Sequence, residues 1–468
     1  MENRKTIIED IDRSMYDIKN DEAEVFKVNK GVSEEVVREI SRIKNEPKWM
    51  LDFRLKSLKI YEEAQMPTWG PSLHELDMNE IVTYVKPGTG MKENWEEVPA
   101  DIRNVFDRLG IPDAEKESLA GVGAQYDSEV VYHSIKDSLT KQGVVYENMD
   151  TALIEHEEMV KEYFMTLITP DMHKFAALHG AVWSGGSFVY VPPGVNVNIP
   201  LQSYFRFNSP GAGQFEHTLI IVDKGAKLQF IEGCSAPKYN MVNLHAGAVE
   251  LFVKEDATLR YSTIENWSKN MLNLNTKLAT VGKNASMEWV SGTFGSHITM
   301  LYPTSILAEE GAKTEYTGVS FASEGQNLDT GTKVIHAAPY TSSVMKSKSI
   351  SKSGGVAVYR SAVKVAPEAH HVKSAVTCES LMMDGRSRTD TLPVMDIRND
   401  EVDIGHEAKI GRISEESIYY LMSRGLGEEE AKALIVRGFV EPIAKELPLE
   451  YAVEMNNLIT LELEGTIG

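Results

Sequence analysis

Cysteine is scarce in this sequence: only two occur among 468 residues, Cys234 and Cys378. Two thiolates cannot complete a four-cysteine zinc site or an all-thiolate iron-sulfur ligand set within one chain. No Cys-x-x-Cys motif occurs and the two cysteines lie far apart in sequence, so neither a redox dithiol nor a disulfide framework is indicated. This usage is typical of a protein of the reducing cytosol.

The sequence also has fewer basic than acidic residues, and it lacks long apolar runs. The chain has 48 Lys and Arg against 69 Asp and Glu, a formal net charge of −21 at pH 7, which argues against nucleic acid as a partner. The N-terminal residues are charged throughout, and no later run approaches the roughly 20 apolar residues of a membrane span. We therefore predict a cytoplasmic protein that is neither secreted nor inserted in a membrane.

Several common catalytic motifs are missing. No phosphate-binding P-loop occurs, since the nearest basic turn, at Gly282-Lys283-Asn284, lacks the preceding glycine and the hydroxyl residue. His156-Glu157 has no second His four residues after the first, which excludes a zinc-protease helix, and Ser187 has no nucleophile-elbow pattern around it. The remaining chemistry belongs to cysteine, histidine and carboxylate side chains.

A short unit recurs through the middle of the chain: a charged residue, a turn former, usually Ala, then alternating polar and apolar residues that end on an aromatic one. The alternation is the period-two pattern of a half-buried strand, and the turn formers tolerate positive φ. The copies end at Phe230, Tyr261, Trp289 and Tyr316, and a looser copy ends at Tyr359. Such a repeat predicts a mainly β chain whose coils stack into a β-solenoid, aromatic residue upon aromatic residue.

A β-sandwich or jelly roll is the alternative fold, but the fixed register within each repeat favours the solenoid. The terminal coils of a solenoid are open sheet edges that must be capped or paired. The sequence therefore also predicts association through a solenoid end, with an identical or a different subunit.

The flanks of the repeat region have helical patterns. One helix is predicted to begin after Ser33, as N-cap, and others after Ser414 and Gly427, ending at Gly425 and Gly438, with a further one opened by Pro448. We predict three regions: a mostly helical N-terminal region, the β core and a helical C-terminal domain. Their ranges are 1–165, 166–410 and 411–468.

The best candidate for chemistry begins at Cys378. A polar stretch runs from it to Asp390, and His406 and Glu407 follow some thirty residues after the cysteine. A thiolate, an imidazole and a carboxylate suit iron or zinc. The charges between Asp384 and Asp390, which include Arg386 and Arg388, are expected to lower the pKa of the Cys378 thiol.

These residues also have structural interpretations. Either cysteine can be a small buried apolar residue, His406 can cap a turn and Glu407 can be a solvated charge. Adjacent residues on a strand point to opposite faces. Both His406 and Glu407 can bind one metal only if the chain bulges there, as Gly405 would permit; otherwise one of them is structural.

Six short motifs occur in order along the chain: Glu46-Pro47-Lys48-Trp49-Met50-Leu51-Asp52-Phe53-Arg54, Met66-Pro67-Thr68-Trp69-Gly70, Glu232-Gly233-Cys234-Ser235-Ala236-Pro237, Asp384-Gly385-Arg386, His406-Glu407-Ala408 and Leu447-Pro448-Leu449-Glu450. Together they resemble the SufBD family of iron-sulfur cluster assembly proteins, and within it the SufB branch. The resemblance covers essentially the whole chain and implies a right-handed parallel β-helix with helical ends. The SufD branch typically has a shorter N-terminal region and lacks a cysteine matching Cys378.

The resemblance implies a role for each matching residue. Cys378 matches the cysteine on which the cluster is built, with His406 and Glu407 as neighbouring candidate metal ligands, and Cys234 matches the acceptor of persulfide sulfur. Glu265 stands where we expect Gln in some relatives, and a carboxylate there would repel a sulfur anion. The positions implied to line a sulfur-transfer route are Arg206, Asn208, Glu265, Trp267 and Lys277.

The resemblance also implies a function and partners. The chain would be a scaffold, not an enzyme, that builds a transient 4Fe-4S or 2Fe-2S cluster and passes it to apo iron-sulfur proteins. A SufC ATPase would dock on the C-terminal helices around residues 414–447, SufD or a second copy of this chain would meet the end of the β-helix, and the desulfurase SufS with SufU or SufE would supply sulfur. A reduced flavin is associated with some complexes of the family, although the chain has no flavin motif.

Two other functions compete with the scaffold function. One is a structural SufD-like partner subunit without a metal role, which would tolerate Cys378→Ala. The other is a β-helix polysaccharide lyase or hydrolase, which would use carboxylates along a groove. The repeats contain no evident ladder of carboxylates for that chemistry.

Overall fold

The computed structural model describes residues 26–108, 119–445, 455–460 and 463. It is mainly β, with a β-solenoid of about eight turns and helical regions on both sides. The fold predicted from the repeats is therefore confirmed.

Short helices and strands precede the main solenoid. Ser33 caps the first helix as predicted, since its hydroxyl accepts a hydrogen bond from the backbone N–H of Val36 at 3.3 Å. The elements of this part are β1 (Phe26–Lys27), α1 (Glu34–Ile43), α2 (Lys48–Glu63), β2 (Val85–Lys86), a 3₁₀ turn (Trp95–Glu97), α3 (Ala100–Arg108), β3 (Gly121–Tyr126), β4 (Glu129–Ile135), α4 (Asp137–Thr140), β5 (Val145–Asn148), α5 (Met149–Glu155), α6 (Glu157–Tyr163) and α7 (Lys174–Val182).

The N-terminal region predicted to be mostly helical, residues 1–165, contains strands as well as helices. Strands β3, β4 and β5 lie before residue 165 and join the solenoid sheets. Residues 129–135 are rich in β-branched and aromatic residues, a strand signal that the prediction did not use. The boundaries at residues 165 and 410 stay predictions.

Twenty strands form the body of the solenoid. They are β6 (Gly186–Val191), β7 (Leu201–Arg206), β8 (Gly213–Gln214), β9 (His217–Val222), β10 (Lys227–Ser235), β11 (Asn243–His245), β12 (Ala248–Val253), β13 (Thr258–Asn266), β14 (Met271–Asn273), β15 (Thr276–Val281), β16 (Ser286–Phe294), β17 (Ile298–Leu301), β18 (Thr304–Leu307), β19 (Lys313–Ala322), β20 (Asn327–His336), β21 (Ser342–Ser351), β22 (Val356–Val365), β23 (Val372–Met382), β24 (Arg388–Ile397) and β25 (Val402–Arg412).

Two sheets enclose the interior, which we call the lumen. The first sheet has the order β4-β3-β7-β10-β13-β16-β19-β21-β23-β25, parallel except for the outermost pair, β3 and β4. The second sheet begins with β5, which is antiparallel to β6, and continues through β9, β12, β15 and β18 to β20. Strands β22 and β24 extend it from β20. The antiparallel strands β4 and β5 thus stand at one end of the solenoid.

The aromatic residues of the repeat lie in one column of the first sheet. Phe230, Tyr261, Trp289 and Tyr316 are direct register partners on β10, β13, β16 and β19. Ring centroids are 5.8 Å apart between Phe230 and Tyr261, and 5.5 Å between Tyr261 and Trp289. The predicted column of aromatic residues is therefore confirmed in register from β10 to β19, with ring contacts between the first three.

The looser copy of the repeat was placed wrongly. Met345 follows Tyr316 in the column, whereas Tyr359 lies on β22 in the second sheet. Strand β20 pairs with both β17 and β18. From β19 onward, each coil therefore consists of two long strands, whereas the preceding coils have three strands. Because of this change in the number of strands per coil, the turn and strand that contain Tyr359 belong to the second sheet and not to the first.

The C-terminal helices begin where predicted. Helix α8 (Glu415–Ser423) is capped by Ser414, whose hydroxyl accepts from the backbone N–H of Ser417 at 3.1 Å. Helix α9 (Glu428–Ala444) runs through Gly438, so the predicted end there is wrong. Gly inside a helix costs only about 1 kcal/mol relative to Ala, and α9 buries Val436 and Val440 in a core shared with the first sheet. The helix predicted at Pro448 lies outside the described residues.

No helix among the described residues is long and apolar enough to cross a membrane.

Candidate functional site

Cys378 lies inside the lumen near one end of the solenoid. It is in the middle of β23, with Ser347 of β21 and Ala408 of β25 as its register partners. The residues of β23 alternate between buried and more exposed, and Cys378, 1% exposed, belongs to the buried set. The thiol therefore faces inward, one strand from the edge of the first sheet.

His406 and Glu407 point to opposite faces of β25. His406 lies two residues before Ala408, on the face that Cys378 shares, and its Nε2 is 3.6 Å from the Cys378 Sγ. Glu407 faces outward, where its carboxylate pairs with the Lys409 ammonium at 2.9 Å. The register is continuous through Gly405, so no bulge brings both side chains to the thiol.

The expected lowering of the Cys378 pKa is wrong. Burial raises the pKa of this thiol to about 12. The nearby charges are engaged elsewhere: the Arg388 guanidinium pairs with Asp390 at 2.6 Å, and the Asp384 carboxylate accepts from backbone N–H groups in its own turn. The apo thiol is therefore protonated at neutral pH, and its reaction with a metal requires loss of that proton.

Within the described part of the chain, no three His, Cys, Asp or Glu side chains lie close enough together to hold a metal ion. The Cys378 site offers two donor atoms, one sulfur and one nitrogen. This set suits iron but is incomplete as a site within one chain.

The second thiol, Cys234, also faces the lumen but is enclosed on both sides. It lies on β10, paired in register with Phe205 of β7 and Glu265 of β13, and it is 1% exposed. Its apolar surroundings include Trp267 and Leu244. Unlike Cys378, it has several sheet strands on either side.

Charged and polar groups surround Cys234; we call Glu216, Glu232, Glu265, His245 and Lys277 the Cys234 cluster. The Lys277 Nζ lies 3.4 Å from a Glu232 oxygen and 3.6 Å from a Glu265 oxygen. His245 is 2.5 Å from Glu216 through its Nε2. All five side chains are buried, so the positive charge of Lys277 is shared between two carboxylates in a setting of low dielectric.

The polar network also joins the two halves of this cluster. His245 Nδ1 lies 2.7 Å from Asn273 Oδ1, and the Asn273 amide donates to Glu265 at 2.8 Å. Glu265 is therefore held by both an amide and the Lys277 ammonium. This pairing reduces the repulsion of a sulfur anion that the sequence led us to expect from this carboxylate.

The cluster disfavours a free thiolate at Cys234. Burial, and then the carboxylates of Glu232, Glu216 and Glu265, raise the pKa of Cys234 well above its usual range, while Lys277 opposes them. Lys277 itself stays protonated, because although burial lowers its pKa, the two carboxylates raise it further. The single lysine is thus the main favourable charge for a sulfur anion at this position.

The other residues implied by the resemblance lie around this end of β10. An Arg206 guanidinium N–H donates to the Ser235 hydroxyl at 3.0 Å, and the backbone N–H of Asn208 donates to Asp127 at 2.6 Å. The Trp267 ring packs on His245 with a centroid distance of 4.6 Å. These contacts place Arg206 and Trp267 close to the Cys234 strand and Asn208 beside Asp127, and the roles of all three stay predictions.

The two thiols cannot touch. Five strand-to-strand steps in the first sheet separate β10 from β23. Because neighbouring strands lie about 4.8 Å apart, the two cysteine coils are separated by roughly 24 Å. A direct reaction between the two thiols is therefore excluded in this structure.

Small, mostly hydroxyl-bearing residues follow one column between these coils. From Glu232 the register partners lead through Thr263, Ser291, Gly318 and Ser347 to Cys378. All are buried. In the adjacent column, the Ser349 and Ser380 hydroxyls lie 2.7 Å apart. The lumen is therefore polar along this wall, although its neighbouring column is aromatic.

Sequence reasoning missed this column and three members of the Cys234 cluster, Glu216, Glu232 and His245. The repeat contained the signal for the column, since Glu232, Thr263, Ser291 and Gly318 each follow the repeated aromatic residue by two positions. Residues two apart on a strand share a face, so the column could have been predicted with the aromatic one. No sequence spacing indicated Glu216 or His245.

The solenoid end beside Cys378 is open in the described structure. Strand β25 pairs only with β23, and β24 pairs only with β22. Both edge strands expose apolar side chains: Leu392, Val394, Met395, Ile397 and Ile410. A long apolar edge of this kind is a surface for pairing with another chain.

These features define a class of protein: a parallel β-solenoid with one thiol enclosed in its lumen and a second, beside a histidine, at its open end. Two family models match the chain. The SUF system FeS cluster assembly SufBD core domain matches residues 205–439, and the SufBD protein N-terminal region matches residues 38–203. The chain belongs to the SufBD family of iron-sulfur cluster assembly proteins.

Relatives match over almost the full length. An iron-sulfur cluster assembly SufBD family protein of Staphylococcus aureus (strain MRSA252) is 50% identical over 459 residues, which cover 98% of this chain and 99% of the relative. A SufBD family protein of Staphylococcus epidermidis (strain ATCC 12228 / FDA PCI 1200) has the same identity and coverage.

Proposed function

We propose that this chain is a SufB-type scaffold on which an iron-sulfur cluster is built and from which it is passed to apo-proteins. The observation that carries the proposal is the Cys378 Sγ, 3.6 Å from His406 Nε2, one strand from the open end of the solenoid. A thiolate and an imidazole are suitable iron ligands. The cluster is cargo here, and incomplete ligation by one chain would favour its release.

The remaining ligands would come from a second subunit. The edge strands β24 and β25 lie beside Cys378 and expose Val394 and Ile410, 60% and 50% exposed. SufD or a second copy of this chain would pair with these edges and bring its own donor atoms to the thiol. Glu407 faces outward from β25, so its role would be at this contact and not as a ligand alongside His406.

Sulfur would enter at Cys234 as persulfide from the desulfurase SufS, through SufU or SufE. The Cys234 thiolate would attack the outer sulfur of the donor persulfide, forming a new S–S bond as the donor's S–S bond breaks and the donor leaves as a thiolate. Before this step the Cys234 proton must be lost, and Lys277 is the buried cation that would stabilise the resulting anion. The polar column would lead the sulfur toward Cys378.

The energy source would be another subunit. No nucleotide-binding motif occurs in this sequence, and α8 and α9 present Tyr419, Tyr420 and Leu434 to solvent. We expect a SufC ATPase to dock there, in the cytoplasm, and this chain to have no enzymatic turnover of its own. Flavin binding stays a prediction from the resemblance alone.

Two alternatives are less well supported. A structural SufD-like role would give Cys378 and His406 no reason to lie together at the open end. Membership in an iron-sulfur assembly family gives no support to a polysaccharide lyase or hydrolase.

The test compares two adjacent residues of β25. The chain would be reconstituted anaerobically with iron, sulfide and its ATPase partner, then examined by ultraviolet-visible and Mössbauer spectroscopy. We expect sulfide-to-iron absorption to be lost in Cys378→Ala and strongly reduced in His406→Ala. Glu407→Gln is the matched control: it changes the neighbouring residue on the outer face and should keep the absorption.

Equal spectra for wild type and Cys378→Ala would refute a cluster at this thiol and favour the structural role. Loss in Glu407→Gln with retention in His406→Ala would reverse the assignment of the two residues.

A further inference from the structure

Two buried hydroxyls in the second sheet lack hydrogen-bond partners among the described residues: the Tyr359 OH and the Thr391 Oγ1. Tyr359 lies on β22 and is 2% exposed, and Thr391 is its direct register partner on β24. Register partners share a face, so both side chains lie on the lumen side of the wall that faces the first sheet.

Tyr359 lies in the long buried core of the lumen, which also contains the proposed assembly site. It belongs to the same buried cluster as Cys378 and Val376, and its ring centroid is 6.3 Å from that of Tyr316. Burial, and then Tyr316 and the Cys378 thiol, raise the pKa of Tyr359 well above its usual range. The phenol is therefore a neutral O–H donor at physiological pH, near the thiol.

An unpaired buried hydroxyl has an energetic cost. Leaving such a group without a partner costs about 1–3 kcal/mol, and Phe at this position would fill the same space without that cost. A tyrosine is favoured over a phenylalanine here only if its hydroxyl meets an acceptor in some state of the protein. A sulfur anion can accept a hydrogen bond from a neutral phenol. A protonated phenol is, by contrast, a poor ligand for a metal.

We propose that Tyr359, with Thr391 beside it, is a positioning residue that donates a hydrogen bond to sulfur bound at Cys378, either persulfide sulfur or cluster sulfide. This inference rests on the proposed function, since it takes Cys378 as the site where sulfur and iron meet. Hydrogen bonds to sulfur lower its electron density, which would hold the cargo in one orientation and weaken its iron–sulfur bonds.

The apo protein gives the first test. Because Tyr359→Phe removes an unpaired polar atom, its thermal midpoint should equal or exceed that of wild type. The matched control is Tyr146→Phe: Tyr146 is equally buried, but its hydroxyl lies 2.6 Å from the Gln202 carbonyl oxygen and 2.8 Å from the Ser203 hydroxyl. Its midpoint should fall. An equal fall in both variants would show that the Tyr359 hydroxyl has a structural partner and would overturn the proposal.

The second test uses chain reconstituted with iron and inorganic sulfide together with its ATPase partner, and resonance Raman spectra in H₂O and D₂O. A donated O–H bond makes iron–sulfur stretching bands sensitive to deuterium. That shift should be smaller in Tyr359→Phe and Thr391→Val than in wild type, and unchanged in Tyr146→Phe. Equal shifts in wild type and Tyr359→Phe, with the cluster still dependent on Cys378, would overturn this inference alone. A cluster that survives Cys378→Ala would refute the proposed function instead.

Discussion

The two thiols of this chain lie in the same lumen but in contrasting surroundings. Cys234 is enclosed by sheet on both sides and surrounded by three carboxylates with Lys277 among them. Cys378 has no charge that shifts its pKa, lies beside His406 and is one strand from an open edge. The first setting controls an anion through buried charge, and the second leaves room for iron and another subunit.

The largest expected contrast concerns the source of sulfur. With the desulfurase and its carrier as the only source, both Cys234→Ala and Cys378→Ala should lose nearly all cluster formation. With inorganic sulfide, Cys234→Ala should form about as much cluster as wild type, because the enclosed thiol is bypassed. Iron and acid-labile sulfide per chain are the measurements. A Cys234 variant that is equally defective with inorganic sulfide would remove the distinction between the two thiols.

The next contrast is the buried charge at Cys234. Lys277→Met should lower the free energy of unfolding by about 3–5 kcal/mol, because it leaves Glu232 and Glu265 buried without their cation. Lys409→Met removes the exposed partner of Glu407 near Cys378 and should change it by about 0.5 kcal/mol or less. Urea unfolding of both variants provides the comparison. Similar losses in the two would mean that the Lys277 charge is not buried in solution.

The open edge is the third point of contrast. Replacing Val394 and Ile410 by Lys should weaken association through the solenoid end by roughly tenfold or more, about 1.4 kcal/mol, since each places a charge at an apolar contact. Leu434→Lys, at an equally exposed position on α9, is the control and should leave this association unchanged. Sedimentation with the second scaffold subunit measures the effect. Unchanged affinity in the edge variant would exclude these strands from the contact.

The smallest expected effect is a pH dependence at the enclosed end. Burial lowers the pKa of His245, but Glu216, with Asn273 and Glu265, more than offsets this, so the pKa is raised. A raised histidine pKa stabilises the fold at pH below the unfolded value near 6.5, and this contribution is lost as pH rises through the folded value. Glu216→Gln should therefore be less stable than wild type at pH 6, and this difference should become smaller as the pH rises to 9.

Chemical unfolding at the two pH values tests this. A difference that grows with pH would mean that His245 is neutral in the folded protein and that its contact with Glu216 is not a charge pair.

The sequence predicted the solenoid because its repeat contains a turn former and an aromatic residue at fixed positions, and these face the core in every three-stranded coil. It misplaced Tyr359 because strand lengths change at β20, a property of pairing between distant segments. It named Cys378, His406 and Glu407 together, and the period-two rule predicted that His406 and Glu407 would face opposite sides, but only the structure shows that His406 is the one beside Cys378. The Cys234 cluster was only partly predicted, since Glu216 lies between β8 and β9 and His245 lies on β11, and only the folding of these distant segments brings them to Glu265.

The ends of the solenoid have a consequence for polymerisation. One end of the two main sheets has the antiparallel strands β4 and β5, and the other has the parallel strands β24 and β25, which expose apolar side chains. Head-to-tail stacking of copies would need two complementary open ends, and it would generate a filament. The two ends differ in strand direction, so we expect the β24–β25 end to pair with an end of its own kind, an arrangement that closes at two subunits. The direction of the terminal strands would then favour a closed pair over a filament.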